Sequence, residues 1–84
     1  MILVVDDDPA LLRLVEAALR RAGHEVVTTT EPESALSLAT AKRVDAVVLD
    51  VMMPGRSGYD VLAQLRADPR TSSLPVVMLS ALSD

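Results

Sequence analysis

A chain of 84 residues with 12 acidic residues, 8 basic ones and a formal net charge of −4 has room for one small domain, spanning 1–84. Its apolar fraction of 50 %, with Tyr59 as the only aromatic, makes the core one of Leu, Val, Ala, Ile and Met. The acidic balance without a Lys/Arg cluster excludes a nucleic-acid surface in this segment, and the absence of cysteine excludes disulfides and thiolate metal sites and fits a reducing compartment.

The opening Met1-Ile2-Leu3-Val4-Val5 is too short for a signal peptide or a membrane span and runs straight into acids, so the chain reads as cytoplasmic, with no membrane partner. Ile2 to Val5 is a predicted β-branched strand that ends on Asp6-Asp7-Asp8-Pro9. Asp8 has a structural explanation: placed before Pro9, it is a good N-cap for a helix from about Pro9 to Ala22, closed by Gly23. Asp6 and Asp7 have none, since two like charges at the end of a buried strand cost free energy unless a cation offsets them. In this helix Leu12, Val15 and Leu19 form an apolar stripe that Leu11, Leu14 and Ala18 broaden, with Arg13, Glu16, Arg20 and Arg21 toward water.

Glu25 to Thr29 is the second predicted strand, and Glu33 to Ala41, near Pro32, the second helix, with Ala35, Leu36 and Leu38 inward. The lone histidine, His24, beside Gly23 at a helix exit, reads as a polar loop residue. Ala46 to Leu49 is a fully apolar strand that ends abruptly on Asp50 and a Pro54-Gly55 turn. Ser57-Gly58-Tyr59-Asp60 fits the S-x-x-D capping pattern of a third helix, with Val61, Leu62 and Leu65 inward, that stops before Pro69. After a loop over Arg70 to Ser73, Pro75 to Leu79 is a fourth strand, followed by Ser80-Ala81.

The β-α-β-α-β-α-β alternation implies an α/β fold with a parallel sheet wound by right-handed crossovers. With the second strand on one side of the first and the third on the other, the strand order is 2-1-3-4, and the winding reverses between strands one and three. That crevice receives Asp6, Asp7 and Asp50, with Ser80 one strand further on. Three convergent carboxylates make a hard-oxygen site of the kind Mg2+ prefers, with open positions for water and a phosphoryl group.

These residues carry a resemblance through the whole chain. The acidic pair Asp6-Asp7 after ILVV, the D-x-M-M-P-G-x-x-G stretch from Asp50 to Gly58, and Ser80-Ala81 thirty positions after Asp50 resemble the receiver domain of bacterial two-component response regulators. The resemblance implies a flavodoxin-like, doubly wound sheet and a phosphoacceptor signalling domain that is not an enzyme in its own right, fed by a sensor histidine kinase or a phosphotransfer protein. It implies that Asp50 is the phosphoacceptor, that Asp7, Asp50 and the Met52 carbonyl ligate Mg2+ directly, that Asp6 acts through metal-bound water, and that Ser80 is the switch hydroxyl. Receiver domains continue with a further helix, a fifth strand ending in a phosphate-contacting lysine, and a final helix, whereas this sequence stops at Asp84. Without those elements the fourth strand is an apolar edge, and self-association through it is expected.

Three rival readings make different demands. A Mg2+-dependent phosphatase or phosphotransferase with an aspartyl nucleophile usually places a second acid two residues after it, where this sequence has Met52. A nucleotide or flavin module needs a Gly- or Ser/Thr-rich loop after strand one, where Asp6-Asp7-Asp8-Pro9 would repel phosphate. An inactive fragment would keep the shape and serve only as a binding partner.

Overall fold

The computed structural model describes residues 1–53 and 55–79. Apolar runs become β1 (Ile2–Val5), β2 (Val26–Thr29), β3 (Ala46–Asp50) and β6 (Val76–Leu79), with the two-residue strands β4 (Met52–Met53) and β5 (Arg56–Ser57) between the last two. The helices are α1 (Pro9–Arg21), α2 (Ala35–Ala41) and α3 (Gly58–Ala67). The four long strands form one parallel sheet in the order β2-β1-β3-β6, the expected 2-1-3-4 arrangement with β6 as the fourth strand. This is the flavodoxin-like winding, and its register sets Val4 beside Thr28 and Val48, and Val48 beside Val77.

Side chains alternate across a strand, so the sheet sorts its own residues into two cores. Leu3, Val5, Val47 and Leu49 face one way and pack with Ala35 and Ala39 of α2 and Val61 and Leu65 of α3. Val4 and Val26 face the other way and meet Leu12 of α1, with Ile2, Val15, Leu19 and Val48 at the margin. The crossovers thus place α1 on one face and α2 and α3 on the opposite one, as right-handed connections to either side of β1 require.

Local chemistry explains where the helices start. The Asp8 side chain accepts from the Ala10 and Leu11 amides at 3.0 and 3.4 Å, with Pro9 in the first turn. At α3 the Ser57 hydroxyl accepts from the Tyr59 amide at 3.1 Å while Asp60 accepts from the Ser57 amide at 3.3 Å, closing the predicted capping box. α1 is followed by Gly23 at φ 97°, a left-handed position that only glycine adopts without strain.

Four details differ from the sequence expectations. Leu14 is 67 % exposed and Ala18 is exposed, because α1 docks along the Leu12–Val15–Leu19 line and turns the far side of its apolar arc to solvent. The second helix opens with a 3-10 turn, Pro32–Ser34, and is helical only over Ala35–Ala41. Glu25 lies outside β2 and Pro75 outside β6. The segment after Asp50 carries a small antiparallel ladder that pairs Met52 with Ser57 and Met53 with Arg56. Met53 is thereby buried against the α2–α3 side of the core.

Candidate metal centre

β1 and β3 are neighbours in register, so their C-terminal ends deliver carboxylates to the same place. The β1–β2 ladder runs on by one bond, the Asp6 amide donating to the Thr29 carbonyl at 3.2 Å, which holds Asp6 in line with its strand and buries it. Asp50 is the last residue of β3 and is also buried. Asp7 is half-buried beside them. Carboxylate oxygens of Asp6, Asp7 and Asp50 all lie within 4.8 Å of one another.

Such a cluster is uncomfortable on its own. Asp6 Oδ1 accepts from the Asp8 amide at 2.9 Å, but Oδ2 is buried without a hydrogen-bond partner. Burial pushes the Asp6 carboxyl above its ordinary range, the neighbouring charges of Asp50, Asp7 and Asp8 push the same way, and the Asp8 amide opposes them. A buried oxygen without a donor costs free energy in the folded state unless a cation or a water bound to one supplies the partner. The donor set is all oxygen, which suits a hard divalent cation and not a soft one. The residues present therefore fit Mg2+.

The loop after Asp50 is tied down on three sides. The Val51 amide donates to the Leu79 carbonyl at 3.0 Å, the Val51 carbonyl accepts from the Gly58 amide at 2.8 Å, and the Met52 amide points at Asp50 Oδ1 at 3.4 Å. The Met52 side chain is 68 % exposed, and only its amide is directed at Asp50. Ser80, the remaining site residue of the sequence reading, lies outside the described residues. Besides capping α1 with its side chain, Asp8 holds Asp6 through its backbone amide, an Asx turn whose signal is the aspartate at position 6.

With four parallel strands in this order and acids at the ends of β1 and β3, the comparison with known proteins is decisive, because residues 2–84 match the family described as "Response regulator receiver domain". This chain belongs to that family. Among relatives of the receiver domain is the response regulator PleD of Caulobacter vibrioides, 46 % identical over 81 residues, which cover 96 % of this chain and 18 % of PleD. Among solved structures, the N-terminal domain of a response regulator receiver protein from Methanoculleus marisnigri superposes with a TM-score of 0.91 at 36 % identity, over 99 % of this chain and 68 % of that one. The response regulator protein TrrA of Thermotoga maritima, solved in complex with Mg(2+)-BeF, gives 0.87 at 35 % identity, over 98 % of this chain and 70 % of its own. The chain thus spans under a fifth of PleD and about two thirds of the solved domains. Receiver domains are signalling modules of two-component systems and not conventional enzymes, and phosphorelay and Mg2+ are general features of the family. Among the described residues no helix is long and apolar enough to cross a membrane.

Proposed function

We propose that this receiver domain accepts a phosphoryl group on Asp50 from the phosphohistidine of a sensor histidine kinase or phosphotransfer protein, in the cytoplasm, and relays the signal by switching conformation. The observation that carries the reading is the convergence of Asp6, Asp7 and Asp50 on one crevice, with an unpartnered Asp6 oxygen inside it. That TrrA was solved in complex with the histidine kinase ThkA supports the choice of partner. Asp7, Asp50 and the Met52 carbonyl would hold Mg2+, with Asp6 acting through water. When bound, Mg2+ offsets the negative charge of the carboxylates and of the incoming phosphoryl oxygens.

The chain's own part in the transfer is nucleophilic. An Asp50 carboxylate oxygen forms a bond to phosphorus as the P–N bond of the phosphohistidine breaks, and the imidazole leaves with the electron pair and takes a proton. The product is an acyl phosphate at the end of β3, and the same acidic crevice assists its hydrolysis. Ser80 comes next in the sequence after Leu79, the last residue of β6, and its hydroxyl would bond a phosphoryl oxygen and bias the residues after it between two states. The phosphatase reading lacks its second acid, because the residue two positions after Asp50 is Met52, whose side chain carries no carboxylate and is exposed.

Incubation with a small phosphodonor and Mg2+ is expected to add one phosphoryl group per chain, read by intact-protein mass, and Asp50→Asn is expected to abolish it. Undiminished uptake by the Asn variant would overturn the assignment; no uptake by the parent would favour a binding role alone.

We extend the proposal to a second copy of the chain as partner. Among the described residues no strand pairs with the outer side of β6, and Val77 is 53 % exposed on the face that α1 only partly covers. An uncharged edge with exposed aliphatic surface recruits another edge. Sedimentation is expected to show a mass that rises with concentration, and Val77→Lys is expected to return it to the monomer; a parent that stays monomeric at high concentration would refute edge pairing.

A further inference from the structure

Gly58, the last residue of the Asp50–Gly58 motif, is not explained by backbone conformation, since the positive-φ glycines among the described residues are Gly23 and Gly55. It is explained by crowding. A Cβ built on Gly58 would overlap the Asp50 carbonyl oxygen and would stand 2.9 Å from Val51 Cα and 3.0 Å from the Asp50 carbonyl carbon. All three neighbours are backbone atoms, with no side chain free to swing aside. The same glycine donates its amide to the Val51 carbonyl at 2.8 Å, so the first residue of α3 is bonded to, and pressed against, the end of the strand that carries Asp50.

We propose that Gly58 is a positioning residue for the acidic crevice: its missing side chain lets α3 close on the Asp50–Val51 peptide and thereby sets where the Asp50 carboxylate and the Met52 carbonyl stand. The inference rests on the Mg2+ reading above. If a methyl group is added at Gly58, either the helix or the strand end must yield. α3 is held by Val61 and Leu65, both wholly buried, and by the Ser57–Asp60 capping box. β3 is held along Val47 to Leu49 by strands on both sides and at Asp50 by β6, but Val51 to Met53 is held by single bonds and a two-residue ladder. The strain falls on the segment from the Asp50 carbonyl to Met52, beside the acidic cluster. By contrast, a Cβ on Gly55 meets nothing within 4 Å.

The test compares Mg2+ affinity with stability in the full chain. Gly58→Ala is expected to weaken Mg2+ binding by calorimetry about 10- to 100-fold, the range for residues that orient metal ligands. Val61→Ala, on the same helix but in the core, is the control: it is expected to lower the urea midpoint while leaving Mg2+ affinity within twofold of the parent. An osmolyte that favours the folded state keeps both variants folded during the titration. A parent that binds Mg2+ together with a Gly58→Ala that binds it equally well overturns the positioning role alone. A parent that binds no Mg2+ overturns the cation reading and this inference with it. A Gly58→Ala chain that stays unfolded in the osmolyte places the cost in the fold and overturns the role as well.

Discussion

Leu49→Ala is expected to remove about 2–5 kcal/mol of stability, a large share of what a domain of this size has. Leu49 is wholly buried, one residue before Asp50, on the sheet face that packs against α2 and α3. Its side chain lies in a core that contains no aromatic ring to collapse into the cavity. A domain of this length has roughly 4–13 kcal/mol of total stability to lose, at 0.05–0.15 kcal/mol per residue. Leu14→Ala removes the same atoms from a side chain that is 67 % exposed and is expected to cost less than about 0.5 kcal/mol. Urea midpoints of the two variants measure the contrast directly; equal losses would mean that α1 buries Leu14 after all.

Neutralising Asp6 is expected to change stability in opposite directions with and without Mg2+. In the metal-free domain Asp6→Asn should gain about 1–3 kcal/mol, the range for relieving a buried, unsatisfied polar atom. The Oδ1 acceptor for the Asp8 amide is retained, while the unpartnered charge beside Asp7 and Asp50 is removed. The gain carries a pH signature. The folded-state pKa of Asp6 is raised, first by burial and then by its acidic neighbours, so the folded state binds that proton more tightly than the unfolded chain does. Ionised Asp6 therefore costs stability at pH above its raised folded value. That cost is relieved as pH falls through the raised value and is gone at the unfolded value of 3.8. The advantage of Asp6→Asn should be largest at neutral pH and vanish near pH 4.

Asp68 runs the other way. Its hydrogen bonds from the Arg70 guanidinium and amide hold it at about 2, so its contribution is present above 3.8 and lost as pH falls toward 2, below the Asp6 window. With saturating Mg2+ the order of parent and Asn variant should reverse, because a cation that binds only the folded state stabilises it by mass action. Denaturation curves at pH 7 and pH 4, with and without Mg2+, would check all of this; an Asn advantage equal at both pH values would rule out ionisation as the cause.

Short-range signals in the sequence determined the parts of the protein whose interactions span a few residues. Asp8-Pro9 and Ser57 to Asp60 name the starts of α1 and α3 because a capping side chain reaches amides two or three positions ahead, whatever the rest of the chain does. The alternation of apolar runs and amphipathic stretches likewise determined the parallel order, since right-handed crossovers leave few ways to wind four strands. It also made Asp6, Asp7 and Asp50 legible as one group, because a strand ending on an acid delivers it to the same edge as its parallel neighbour. Only the tertiary structure decided what depends on distances between remote backbones. Which part of α1's wide apolar arc meets the sheet, and so leaves Leu14 in solvent, follows from docking onto Val4 and Val26. The Met52–Ser57 ladder pairs residues whose intrinsic strand preference is weak. The orphaned oxygen of Asp6 and the contact that requires a glycine at position 58 depend on how closely the core presses strand ends and helix start together, and no local pattern records that distance.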